Sequence, residues 1–238
     1  MKKLLTILSV IALVPFSAHA LDRSDFSITA GLATNSAVYG ATAKETNRNE
    51  SNVIHNVKKE SGVFTESHES GFIEINAGPI VSIGYEHTPD SISTPQNETR
   101  EDLKNSSGAS MKSTVSVDFN DLNIAYLKLN VPNTGLYLKA GYVETDLDIK
   151  ESMASGSTYN NVSTEGTLVA VGFSHAINDS PIGVRIEGSY MQLDDVTTSN
   201  GVAVDGATVA NGGRNQIDAS NLEGLNAKIA LTVTLGGN

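Results

Sequence analysis

The histidines and serines are the residues best able to carry covalent or acid–base chemistry in this chain. The histidines are His19, His55, His68, His87 and His175. A serine hydrolase needs its nucleophile and its base within hydrogen-bond reach of each other. Ser174 and His175 are adjacent on a predicted strand, where consecutive side chains point to opposite faces, so they do not pair directly. We therefore expect no enzyme activity.

Carboxylates form a second group that is able to do chemistry, because Ca²⁺ and Mg²⁺ prefer oxygen ligands. They gather where predicted strands end, at Glu66, Glu69, Asp90, Asp118, Asp121, Glu144, Asp146, Asp148, Asp194, Asp195, Asp218 and Glu223. Their spacing matches no calcium-binding loop of the D-x-D-x-D-G type. A solvated acidic rim that keeps the chain soluble during export is the simpler interpretation. The sequence predicts neither a metal site nor a cofactor.

The composition narrows the range of partners. Of 238 residues, 16 are Lys or Arg and 27 are Asp or Glu, which gives a formal net charge of −11. A surface of that sign repels phosphate backbones, so we expect no nucleic-acid partner. The chain has no cysteine, which excludes a disulfide scaffold, a thiolate zinc site, a cysteine nucleophile and a lipoprotein anchor.

The N-terminus has the pattern of an export signal. Two lysines precede an apolar run over residues 4–16, and Ala18-His19-Ala20 then places small residues at both positions that a signal peptidase needs. The apolar run is shorter than the roughly 20 residues of a transmembrane helix. The pattern predicts a signal peptide over residues 1–20 and a mature domain over 21–238.

Apolar residues recur at every second position in the mature chain, and no sustained helical spacing is present. The clearest segment has one apolar and one polar parity, with Leu225, Ala227, Ile229, Leu231, Val233 and Leu235 on the apolar side. Seven further segments show the same split, and they begin at Phe26, Ile73, Val81, Ala125, Leu136, Val169 and Ile182. The sequence therefore predicts eight strands in one all-β domain.

The connections between these strands alternate between short and long. Short turns rich in Gly, Pro, Asn and Asp are predicted at 78–79, 132–134 and 178–181. Long connections are predicted at roughly 45–63, 92–109, 151–164 and 198–217. Because an up-and-down ladder places alternate connections at opposite ends, all the long ones fall at one end. Compact soluble sandwiches seldom carry four such loops.

Charged residues occupy the polar parity of most strands. They are Glu74, Glu86, Lys128, Lys139, Arg185, Glu187 and Lys228. Three acids and four bases nearly cancel, as the filled interior of an eight-stranded barrel requires, since buried charges must be paired. A soluble barrel with these charges on its outer face is the alternative, and alternation alone does not exclude it.

The apolar parity favours contact with lipid. It consists mainly of Leu, Ile, Val and Ala, which suits lipid tails better than an interlocking core. Tyr85, Tyr142 and Tyr190 lie toward the long-loop end of this face, and Phe26 and Phe173 lie toward the other end. Such a distribution is typical of the aromatic girdles at membrane interfaces.

The signal peptide, eight alternating strands, three tight turns and four long loops together resemble the small outer-membrane β-barrel proteins of Gram-negative bacteria, the opacity-protein, OmpX and OmpW-like group. The resemblance covers residues 21–238 and lies in this pattern, without a sharp motif. It implies an eight-stranded antiparallel up-and-down transmembrane β-barrel with short periplasmic turns, four long extracellular loops and insertion by the barrel-assembly machinery. Members commonly end on an aromatic residue, whereas this chain ends Leu235-Gly236-Gly237-Asn238.

Two functions remain open at this point. One is a non-enzymatic structural or surface-interaction platform whose loops meet an unknown extracellular ligand. The other is a narrow porin-like channel for small solutes. Small inward residues such as Gly31, Gly84, Gly141, Gly172 and Ser189 leave room for gaps in the lumen, whereas ion pairs would close its middle. We expect a monomer in the outer membrane, in contact with its lipid and lipopolysaccharide.

Overall fold

The computed structural model describes residues 26–48, 53–104, 110–152, 158–178, 180–200 and 214–236. The predicted signal peptide, residues 1–20, and the predicted new N-terminus at Leu21 lie outside the described residues. Every regular element within these ranges is a β-strand. In the same ranges, no helix has the length and apolar character needed to cross a membrane, a finding that does not concern crossing by strands.

The described ranges contain eleven strands, and eight of them close into a ring in which every neighbouring pair is antiparallel. The strands are β1 Phe26–Arg48, β2 Ile54–Ala77, β3 Val81–Thr88, β4 Ile92–Ser93, β5 Asn97–Lys104, β6 Ser110–Asn130, β7 Leu136–Ser152, β8 Val162–Ala176, β9 Ile182–Leu193, β10 Val196–Ser199 and β11 Gln216–Gly236. The ring runs β1-β2-β3-β6-β7-β8-β9-β11, and β11 pairs with β1 to close it. The prediction of an all-β, eight-stranded antiparallel up-and-down barrel is confirmed.

The stagger of the strands sets the tilt and the width of the barrel. Partners that lie directly opposite each other lead from Ile28 on β1 around the whole ring and back to β1 at Val38, ten residues further along. Such a stagger in an eight-stranded barrel tilts the strands by roughly 40° and leaves an interior that side chains are able to fill.

The short turns carry residues suited to their backbone conformation. Gly78, Asn133, Gly135 and Asn178 have positive φ angles of 67°, 63°, 74° and 50°. Glycine and asparagine tolerate this left-handed region better than other residues. Because neighbouring strands of the ring are antiparallel, the three predicted short connections lie together at one end of the barrel.

The strands continue far into the segments expected as long connections. β1 has 23 residues, about twice the 9–11 that cross a bilayer, and it pairs with β2 as far as Arg48 and Ile54. Because the paired sheet continues, its ladder satisfies the backbone groups of these segments. We call this part the extension; it comprises residues 39–48, 54–66, 92–104, 110–121, 144–152, 158–165, 193–199 and 214–223.

Two bulges change which residues face inward. Asp121 and Asn221 have positive φ angles of 50° and 53°, and the strand register shifts beside each of them. Leu122 is buried in the apolar interior on one side of the first bulge, and Phe119 packs against the same interior on the other side. Because of this change of parity, Asp118 lies on the outer face, where its carboxylate oxygen Oδ2 is 3.9 Å from Lys150 Nζ.

The outer wall is apolar over the part of the barrel next to the short turns. We call this part, which includes Leu32, Ile229 and Leu235, the apolar band. Leu32, Ile229 and Leu235 are 76%, 63% and 66% exposed. Tyr85 and Tyr190 are exposed at the extension side of this band, as the girdle interpretation predicts. Tyr142 was expected beside them, but only 5% of its surface is exposed and its hydroxyl donates to Glu165.

Candidate functional site: the charged layer of the lumen

Seven charged side chains from six different strands meet inside the barrel. The structure brings together all the residues that the sequence placed there: Glu74, Glu86, Lys128, Lys139, Arg185, Glu187 and Lys228. Each is at most 4% exposed. We call this set the charged layer. It is formed because alternation points every second residue inward and the barrel stagger brings these positions to a similar depth.

Glu74 is the centre of the first group in the charged layer. Arg185 donates to both of its carboxylate oxygens, at 2.7 and 2.8 Å. Lys128 Nζ lies 2.5 Å from Oε2, and the Tyr126 hydroxyl donates to Oε1 at 2.9 Å. A two-pronged guanidinium–carboxylate contact is a strong, directional ion pair. Glu74 therefore ties β6 and β9 to β2.

The second group in the charged layer shares two acids between two lysines. Lys139 Nζ lies 2.7 Å from Glu187 and 3.3 Å from Glu86. Lys228 Nζ lies 2.6 Å from Glu86 and 3.1 Å from Glu187. Tyr137 donates a hydrogen bond to Glu187 at 2.8 Å. Each buried charge thus has at least one partner of opposite sign, as burial in a poorly hydrated interior requires.

Aromatic rings complete the charged layer, and sequence reasoning missed them. Lys139 Nζ lies 4.4 Å from the centre of the Tyr126 ring, and the Arg185 guanidinium lies 4.7 Å from that of Phe72. Lys128 Nζ lies 5.5 Å from the Tyr137 ring centre. Cations are attracted to the faces of aromatic rings. The layer has one more base than acid, and the three rings help to accommodate that excess.

Glycines on neighbouring strands make room for these rings. Gly31, Gly84 and Gly172 lie directly opposite Phe72, Tyr126 and Tyr137. A Cβ atom on any of the three would lie 2.2–2.4 Å from a ring atom. The sequence left room for gaps at these glycines, and the structure fills each of the three spaces with a ring. A glycine directly opposite an inward aromatic residue is the signal that would have revealed this packing. The sequence alone does not give the strand register that is needed to see which residues are opposite each other.

The lumen on the extension side of the charged layer is apolar. It contains a buried cluster of Leu122, Ile124, Leu168, Met191, Leu193 and Leu222, among others. A cavity of about 30 Å³ lies between this cluster and the charged layer, which is room for about two water molecules. His68 Nδ1 and Asn226 Oδ1 line it and have no hydrogen-bond partner.

The other candidate chemical groups are dispersed. His87 lies beside Asn123, with 2.8 Å between Nδ1 and Oδ1, and His175 is exposed at the short-turn end. The side chain of His55 lies outside the described residues. In the described ranges, no three His, Asp or Glu side chains are grouped so that they are able to hold a metal ion.

A closed ring of eight antiparallel strands with an apolar exterior and a paired, charged interior defines a small transmembrane β-barrel. No family model and no curated protein matches the sequence. Among solved structures, the outer membrane protein OprG of Pseudomonas aeruginosa is 10% identical over 87% of this chain and 97% of its own, with a TM-score of 0.48.

Two further solved structures resemble this chain. The outer membrane protease OmpT of Escherichia coli is 10% identical over 88% of this chain and 97% of its own, with a TM-score of 0.44. Ail, the attachment invasion locus protein of Yersinia pestis, in complex with the heparin analogue sucrose octasulfate, is 8% identical over 86% and 99%, with a TM-score of 0.36. These likenesses concern the barrel fold and carry no argument about function.

Proposed function

We propose that this protein is a non-enzymatic outer-membrane barrel that serves as a platform for interactions at the cell surface. The observation that carries the proposal is the charged layer. Its seven side chains are buried and paired, and an apolar cluster fills the lumen beyond it. A barrel filled in this way supports surface contacts better than transport along its axis.

The location follows from the exterior of the barrel. The apolar band suits the lipid of the outer membrane, and the short turns then face the periplasm, with the extension outside the cell. The rim of acids would meet the lipopolysaccharide leaflet. Insertion by the barrel-assembly machinery, a monomeric state and an extracellular ligand that contacts the extension are parts of the same proposal.

The extension supports the role of a platform. It continues the strands beyond the apolar band as a paired sheet, and it contains its own buried apolar residues, such as Ile92 and Leu193. A packed sheet holds its outward side chains in defined positions, which favours specific recognition.

Conductance across a planar bilayer tests the platform proposal. We expect the purified wild-type barrel to pass no steady current, because the charged layer closes the lumen. The triple variant Lys128→Ala, Lys139→Ala and Arg185→Ala removes the largest side chains of the layer and should produce a leak if it still folds. Large, steady conductance of the wild-type barrel would contradict the proposal and support a channel.

One observation favours the channel as a second candidate. β2 pairs with β3 only as far as Gly71 and His87, while β4 and β5 pair with β6. Pro89, which follows, has no N–H to donate to β2. This leaves a gap in the pairing between β2 and the segment formed by β4 and β5. In the described parts of these strands, the Asn97 side chain donates a hydrogen bond to Glu60 across the gap. In the channel candidate, a solute would leave the barrel sideways through this gap.

The membrane assignment predicts a contrast between two outward positions. Ile229, 63% exposed in the apolar band, and Val63, 74% exposed in the extension, both lie on the outer face. Ile229→Arg should lower the free energy of unfolding by roughly 2–4 kcal/mol if that position meets lipid. Val63→Arg should change it little. Equal effects in urea titrations of protein in lipid vesicles would contradict the orientation of the barrel.

A further inference from the structure

A short segment between β7 and β8 enters the lumen at the far end of the extension. We call residues 158–161 the strap. Within the strap, Tyr159 is only 5% exposed. Its backbone N–H donates to Glu151 Oε1 at 2.8 Å, and its hydroxyl lies 3.4 Å from Glu45 Oε1. A tyrosine in a polar connection is thus buried between two carboxylates.

These two carboxylates belong to strands on opposite sides of the barrel. Glu151 is on β7 and Glu45 is on β1, and four steps separate these strands in either direction around the ring. The strap also contacts a third place on the wall, because Asn160 N donates to Ser199 O at 3.3 Å and the Thr198 hydroxyl donates to Asn160 O at 2.6 Å. Tyr159 therefore crosses the extracellular mouth of the lumen.

The strap covers an interior that is poorly suited to contact with water. Leu147, four residues before Glu151 on the same inward parity, is 4% exposed, and Phe119 and Leu193 belong to the apolar interior of the extension. Burial and the Glu45 carboxylate raise the pKa of the Tyr159 hydroxyl well above its usual value. The hydroxyl therefore remains a donor to Glu45 at physiological pH.

Most of the hold on the strap comes from Asn160 and Asn161. Besides the Asn160 contacts above, Asn161 accepts a hydrogen bond from Ile149 N at 3.0 Å and donates one to Asp148 at 2.8 Å. The Tyr159 side chain is held more lightly, since its hydroxyl lies 3.4 Å from Glu45 Oε1. We propose that the strap is a latch: it closes the extracellular mouth, and release of Tyr159 exposes the apolar interior of the extension to small molecules outside the cell. This goes beyond the platform proposal, because it assigns a movable part to the extracellular face.

The absence of cysteine from the chain makes a direct accessibility test available. Leu147→Cys introduces a single buried thiol beneath the mouth, and its reaction with a small, membrane-impermeant maleimide is followed on the folded, detergent-solubilised barrel. We expect slow labelling with the strap intact and labelling at least about tenfold faster when Tyr159→Ala is added. Glu45→Gln, which preserves the shape of the side chain, should accelerate labelling less.

Tyr190→Ala is the matched control, because Tyr190 also donates to a glutamate, Glu223, but lies on the outer wall. It should leave the labelling rate of the introduced thiol unchanged. Electrophoretic mobility without heating checks that each variant is folded, and Glu45→Gln provides the test if Tyr159→Ala does not fold. Equal rates with intact and altered straps, whether both slow or both fast, would overturn the latch proposal.

Discussion

Glu74→Ala is expected to lower the free energy of unfolding of the barrel by about 3–5 kcal/mol, since breaking a buried ion pair leaves its partner charge uncompensated. Glu74 is fully buried and binds Arg185 through two hydrogen bonds and Lys128 through one. Removal of its carboxylate leaves two cations in a region that holds little water. The same change removes the hydrogen-bond acceptor of the Tyr126 hydroxyl.

The measurement is unfolding in urea of protein inserted in lipid vesicles, followed by circular dichroism, because the chain contains no tryptophan. Glu60→Ala is the control: Glu60 is exposed in the extension, so its replacement should cost less than about 1 kcal/mol. Arg185→Glu should be more damaging than Glu74→Ala, because it places two acids together. Equal stabilities of the Glu74 and Glu60 variants would show that the charged layer is hydrated.

Gly172→Ala is expected to cost about 3 kcal/mol, the upper part of the range for overpacked interiors. The added Cβ would lie 2.2 Å from the Tyr137 ring and 2.7 Å from the Ile186 carbonyl oxygen. Tyr137 is almost fully buried and donates to Glu187, so the ring has nowhere to move without giving up that bond. The backbone contact means that a rotation of Tyr137 alone does not relieve the clash.

Gly188→Ala is a matched control for this substitution. Gly188 lies on the neighbouring strand β9, and a Cβ there would meet nothing within 4 Å. Its replacement should change the free energy of unfolding by less than about 0.5 kcal/mol. If both glycine variants unfold at the same urea concentration, Tyr137 does not pack on Gly172 in the membrane.

Sequence alternation was sufficient to predict the inward direction of the seven charges, because the direction of a side chain in a strand depends only on whether its position is odd or even. It was not sufficient to predict the parity beyond Asp121 and Asn221. There a single extra residue in each strand moves the inward face from even to odd positions. The sequence does not mark these two positions as bulges, because a bulge is defined by how the residues of one strand pair with those of its neighbour.

The sequence by itself determined that this protein is an all-β chain of eight alternating strands, with short turns at one end and Glu74 and Arg185 on the inward parity. Those properties are local, since they depend on spacing within a strand and on turn residues such as Gly78 and Asn133. Only the tertiary structure decided that Glu74 meets Arg185, 111 residues away, and that Gly172 receives the Tyr137 ring. The physical reason is that the partners across the lumen are set by ring closure and stagger, which are properties of all eight strands together.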